Sequence, residues 1–127
     1  MPKRVFVFGS NEAGIHGAGA AHVALVKYGA QMGKGFGHYG DSFAIPTRDQ
    51  IIETLPMKTI NIYILGFIAY ANSHKHLNFQ VTQIGCGLAG LKPKNIAPLF
   101  IQAPDNCEFD KAWEPWLGSS FKYWGTY

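Results

Sequence analysis

Hydrophobic positions follow three distinct patterns along the chain. Val5, Phe6, Val7 and Phe8 run without a polar break, which is how a strand covered on both faces of a parallel sheet reads. Gly9, Gly14, Gly17 and Gly19 come next, and the stretch AAHVALVKYGA beyond them is helical in composition. This order predicts a strand, a glycine turn and a helix over residues 19–28, with Ala20, Val23 and Val26 toward the sheet and Gly29 as terminator. Over residues 59–77 the apolar positions Ile60, Ile64, Phe67, Ile68 and Ala71 recur at helical spacing, so a second helix is expected although several of these residues favour strands. Residues 79–84 alternate Phe79 and Val81 with Gln80 and Thr82 and predict a further strand.

The breaks between these elements narrow the picture. Residues 29–40 hold five glycines, so regular structure is not expected there; the segment reads either as a mobile loop over a site or as a surface excursion. SFAIP, residues 42–46, predicts a short strand that ends at or before Pro46. Thr47, Arg48 and Asp49 then lie at a strand's carboxyl end, where open α/β sheets collect ligands. Residues 94–101 allow a short helix started or bent by Pro98, and residues 103–109 a last strand. His74, Lys75 and His76 suit a helix C-terminus better than a metal site.

A chain of 127 residues fits one domain, residues 1–127, with an aromatic tail over residues 104–127 that either closes the core or meets a partner. The formal net charge of +3 allows an acidic or phosphorylated partner. Only Lys92 and Lys94, with Lys75, approach a cluster, so a nucleic-acid groove is weakly supported. Cys86 and Cys107 show no metal spacing; reduced thiols in a cytoplasmic setting are expected, with no metal and no cofactor. MPKR leads straight into the first strand without an apolar signal segment, and the apolar run over residues 60–71 is broken by Asn61 and Gly66, so neither export nor membrane insertion is expected.

The chemistry concentrates in two strand-then-glycine turns, FGSNEAGIHGAGAA and IGCGLAGL, with the strand end PTRD between them. Two such turns can hold one diphosphate between their backbone N–H groups, and Asn11 adds an amide for a ribose edge. Neither turn is a P-loop or a dinucleotide fingerprint, and glycines after a strand also serve as plain tight connections.

These motifs resemble the macro domains, nearest the branch of DNA ADP-ribosyl glycohydrolase antitoxins and related human deacylating macro proteins, and the chain is also similar to small macro-like proteins of phage genomes. The match runs in order over residues 4–101: Ser10-Asn11 with the glycine-rich helix start at residues 16–21, Pro46-Thr47, the turn at residues 84–91, and the Pro98-Leu99 pair. It implies a compact three-layer α/β/α domain with a mixed central sheet that binds ADP-ribose or a related nucleotide, free or on an ADP-ribosylated macromolecule. The implied ligand-binding residues are Gly9, Ser10, Asn11, Gly17, Ala18, Gly19 and Ala20 in the first turn and helix start. Thr47 and Arg48 at the strand end, and Gly85, Cys86, Gly87, Leu88, Ala89 and Gly90 in the second turn, complete the set.

Arg48 stands where that branch has its lysine, and a guanidinium, which unlike an ammonium is not readily deprotonated, does not serve as nucleophile or base. Hydrolysis of ADP-ribose from a modified target would instead fall to His16 or Asp41 positioning a water, with Asn11 orienting the ribose hydroxyls. The rival reading is a nucleic-acid or protein interaction module whose glycines only make turns.

Overall fold

The apolar run at residues 5–8 forms the middle of β1 (Lys3–Asn11), and its alternate side chains feed two separate cores. Val5 and Val7 enter a large cluster on one face of the sheet, while Phe6 and Phe8 enter a smaller one on the other, as the period of two in a strand requires. This computed structural model describes residues 3–127; Met1 and Pro2, the first half of the MPKR start, lie outside it.

Beyond β1 the order is α1 (Gly19–Lys27), β2 (Gly37–Tyr39), β3 (Ser42–Arg48), α2 (Met57–Ser73) and β4 (Leu77–Val81). There follow α3 (Pro93–Ile96) with a 3-10 turn at Ala97–Phe100, β5 (Cys107–Asp110), a 3-10 turn at Lys111–Trp113, α4 (Glu114–Leu117) and β6 (Lys122–Gly125). The six strands make one sheet in the order β2-β3-β1-β4-β5-β6. Every neighbouring pair is parallel except β2 with β3, so the sheet is mixed, and helices cover both faces in an α/β arrangement.

The two helical layers are held with different strength. On α2, Ile60, Ile64, Phe67, Ile68 and Ala71 are buried at the predicted spacing, and each large side chain stabilises by about 1.5–3 kcal/mol. The face of α1 is alanine: Ala21 and Ala24 meet Phe6, Phe8 and Ala44, with Ala20 and Val23 at the margin. Val26, expected toward the sheet, is 67% exposed. It sits two residues past Ala24, about 200° around the helix, and therefore points outward.

Several expected boundaries move. The strand β3 runs through Pro46 to Arg48 because β2 pairs only with residues 42–44; beyond them the edge is open and the missing N–H of proline removes no ladder bond there. At the end of β4, Thr82 turns its hydroxyl to the Val7 carbonyl at 2.7 Å, so the strand stops at Val81 rather than Ile84. Pro98 divides the expected helix over residues 94–101 into α3 and the 3-10 turn. Residues 103–106 form turns rather than strand, the Cys107 N–H donating to Pro104 at 3.1 Å. The His74 imidazole donates to the Tyr70 carbonyl at 2.7 Å and stacks on its ring at 3.8 Å, closing α2.

The aromatic tail divides between core and edge. Trp113 is fully buried against Phe100 and Phe109, and Trp124 donates its indole N–H to the Val81 carbonyl at 2.9 Å from β6. No helix of the described residues is long and apolar enough to cross a membrane.

Candidate functional site

A cavity of about 570 Å³ opens at the carboxyl ends of β1, β3 and β4, within the size range of small-ligand sites. It lies where the chain reverses its winding: from β1 the path goes out to β3, then crosses back to β4 on the other side. Gly9 at the end of β1 and Gly85 after β4 form its floor, and a Cβ on Gly9 would stand 3.2 Å from the Gly85 nitrogen. Gly85 itself has φ +76°, and a Cβ there would meet Leu91 at 2.7 Å. Gly9 thus packs tightly against the second turn, and the left-handed backbone at Gly85 is one that glycine adopts without strain.

Backbone donors line two walls. Helix α1 begins at Gly19 behind Ala18, which offers no side-chain cap, and its first turn holds no acidic residue. Among the described residues the first-turn N–H groups at Gly19, Ala20 and Ala21, residues that line the cavity, have no protein acceptor, and they lie at the positive end of the helix dipole. Opposite them, the turn after β4 is closed by Cys86 N–H to Gln83, Gly90 N–H to Gly87 and Leu91 N–H to Gly85, at 3.1, 3.0 and 2.8 Å. Among the described residues this leaves the N–H groups of Gly87, Leu88 and Ala89 free in a turn that lines the cavity. Among the described residues Arg48 has the one charged side chain in the lining, and its Nε donates to the Ile52 carbonyl at 3.2 Å.

Of the ligand-binding residues expected from the sequence, every one except Gly90 lines this cavity. The three expected catalytic residues do not form a catalytic group. Asn11 is in the wall, and one Nδ2 hydrogen and one Oδ1 lone pair go to its own turn: Nδ2 donates to the Ile15 carbonyl at 2.8 Å and Oδ1 accepts from the Ile15 N–H at 2.9 Å. Its role is to clamp the turn. His16 is fully buried outside the lining, with Nε2 donating to the Lys34 carbonyl at 3.1 Å and its ring edge-on to Phe8. Asp41 lies just before β3, at the amino end of the sheet; its carboxylate pairs with Lys3 at 3.0 Å and its backbone joins Phe6 and Tyr28. A parallel strand separates its two ends by about 3.3 Å per residue, so Asp41 and Thr47 lie at opposite edges of the sheet.

Residues 29–40 do not cover the site. Residues 31–35 clasp the back of the first turn: Ser10 donates its hydroxyl to Gly35, and Gly33 N–H donates to Gly14 at 2.9 Å. The remainder forms β2 and a two-residue Gly40-Asp41 connection into β3, with Gly40 at φ +57°.

Ile15 and Ala21, inside the first glycine motif but not singled out there, complete the wall with Ile52, Thr82, Gln83 and Tyr127, which carried no motif in the sequence. Tyr127 arrives from the far end of the chain, its N–H and the Thr126 hydroxyl donating to the buried Asp110 carboxylate at 3.2 and 3.1 Å. Among the described residues no group of three or more His, Cys, Asp or Glu side chains could hold a metal ion.

Burial pushes the Cys86 thiol up from its ordinary pKa; the Trp113 indole opposes this and the Asp110 carboxylate adds to it. The thiolate is the reacting form, so alkylation of Cys86 should rise only at a pH above that of an ordinary thiol. Cys107, pushed up to about 12 mainly by burial, should stay unlabelled. Mass spectrometry after iodoacetamide treatment from about pH 7 to about pH 10 checks this, and labelling of Cys86 at the free-thiol rate at neutral pH would contradict it.

No protein-family model matches this sequence, and no curated protein or solved structure matches it either.

Proposed function

We propose that this chain binds ADP-ribose or a closely related adenine diphosphate-ribose nucleotide, free or attached to a macromolecule, in the cavity between its two glycine turns. The observation that carries the reading is the pair of facing backbone donor sets, at the start of α1 and at residues 87–89, with Arg48 at the same cavity. Backbone N–H groups and a guanidinium fork suit phosphoryl oxygens and lose little side-chain freedom on binding. The remaining lining is mostly small or apolar, which suits a ribose and a base. The likeness of the motifs to macro domains supports the same ligand class.

The reading is one of binding rather than hydrolysis. The cavity lining, among the described residues, contains no Asp, Glu or His side chain to move a proton at the ribose. The planar guanidinium of Arg48 suits a phosphoryl group better than proton transfer, so its part is to hold charge. We place the chain in the cytoplasm, where the free thiols of Cys86 and Cys107 stay reduced.

Calorimetric titration tests the reading. ADP-ribose should give saturable heat, with weaker binding of AMP, which lacks the second phosphate, and none of a short oligonucleotide beyond a salt-sensitive background. No heat with ADP-ribose up to millimolar concentration would overturn it.

A further inference from the structure

Ile52 is the one non-glycine residue with a left-handed backbone among the described residues, at φ 68°. For a β-branched side chain this is a genuine outlier, and such a conformation persists only where its surroundings enforce it. The surroundings here are specific. The Asp49 carboxylate accepts from the N–H groups of Ile51 at 2.9 Å and Glu53 at 3.0 Å. Asp49 N–H donates to the Glu53 carbonyl at 2.7 Å, and Ile52 N–H to the Asp49 carbonyl at 3.2 Å. The turn so formed places the Ile52 side chain in the cavity wall and sets its carbonyl on Arg48 Nε. Arg48 makes no ion pair among the described residues, and neither Nη group has a protein partner there. Thr54, bridged to Arg48, donates its hydroxyl to the Ala89 carbonyl at 2.9 Å, tying the same turn to the second glycine turn.

We infer that residues 48–53 form a device that positions a cation for a phosphoryl group. Asp49 holds Ile52 in its strained conformation, the Ile52 carbonyl occupies Arg48 Nε, and both Nη groups remain for the ligand. Asp49 and Ile52 are positioning residues, and Arg48 makes the contact. Fixing the arginine before the ligand arrives spares the loss of side-chain freedom that binding would otherwise exact. This inference rests on the diphosphate reading of the cavity and goes beyond it in naming what holds the cation.

The test uses inorganic pyrophosphate as probe and, without any ligand, the water-exchange rate of the Arg48 Nε–H followed by NMR. Asp49→Ala is expected to weaken pyrophosphate binding about tenfold and to speed the exchange, because Ile52 relaxes and its carbonyl leaves Nε. Adding Ile52→Gly to Asp49→Ala should restore both, since glycine keeps φ > 0 with no Cβ to crowd. In an Arg48→Ala background Asp49→Ala should have no further effect on binding. Ile52→Gly alone, which relieves the strain, should melt no lower than the wild type. The inference is overturned if Asp49→Ala leaves binding and exchange unchanged. It is equally overturned if Ile52→Gly fails to rescue, or if Ile52→Gly alone lowers the melting temperature by several degrees. If the exchange pattern holds while the wild type binds neither pyrophosphate nor ADP-ribose, the diphosphate reading falls and the positioning of Arg48 stands.

Discussion

Valine at Gly87 is expected to abolish ADP-ribose binding while leaving the melting temperature within a few degrees of the wild type. Gly87 lines the cavity, its φ lies outside the left-handed region, and a Cβ there meets no atom within 4 Å. The fold therefore has room for the side chain, and the volume it takes is the volume in which the second turn's N–H groups meet a diphosphate. A loss of about a hundredfold or more, some 2.7 kcal/mol, is expected because the blocked contacts are the ones on which the reading depends. Calorimetry with a parallel thermal melt checks this. Full binding by Gly87→Val would move the ligand elsewhere, and a large drop in melting temperature would show that the glycine serves the fold.

The opposite outcome is expected at Gly35, whose substitution should hurt stability first. A Cβ at Gly35 would lie 2.3 Å from the Asn11 carbonyl oxygen and 3.2 Å from the Glu12 Cα, both main-chain atoms that cannot rotate away. Gly35→Ala must therefore push the loop over residues 31–35 off the first turn, breaking the Ser10 contact to Gly35. Overpacking of this kind costs about 2–3 kcal/mol, a fall in melting temperature of roughly 8 °C or more for a domain this size. Gly33 supplies the control. It has φ +86° but nothing within 4 Å of an added Cβ, so Gly33→Ala should cost only about 1 kcal/mol, from the left-handed backbone alone. Equal melting temperatures for Gly35→Ala and Gly33→Ala would contradict the clasp.

These two glycines show what could be read in the sequence and what could not. Both glycine turns were legible as turns, because close packing at Gly9 and Gly14 and positive φ at Gly14, Gly85 and Gly90 leave glycine as their signature. Helix α2 was legible for a similar reason: Ile60, Ile64 and Phe67 repeat with the period of the surface they bury. The His16 and Asp41 assignments did not carry over: nothing in the sequence says which way the His16 side chain points, and the strand predicted over residues 42–46 already puts Asp41 at the end opposite Thr47, against a role for it in the site. His16 is drawn inward by Phe8 and the Lys34 carbonyl, and Asp41 precedes β3, away from the cavity. The hairpin of β2 and β3 did leave a trace, the Gly40-Asp41 pair between two short runs, which the abundance of glycine around it obscured. Tyr127 and Ile52 left none: one reaches the cavity through the buried Asp110, and the other takes a conformation that its residue type disfavours.

The most direct test of the central claim is a residue-resolved one: the amide spectrum of the isotope-labelled protein, titrated with ADP-ribose. The account predicts that the N–H signals of Gly19, Ala20, Ala21, Gly87, Leu88 and Ala89 move together and saturate, while those of His38 and Asp41 stay in place. An unchanged spectrum, or shifts confined to residues away from the carboxyl ends of β1, β3 and β4, would contradict it.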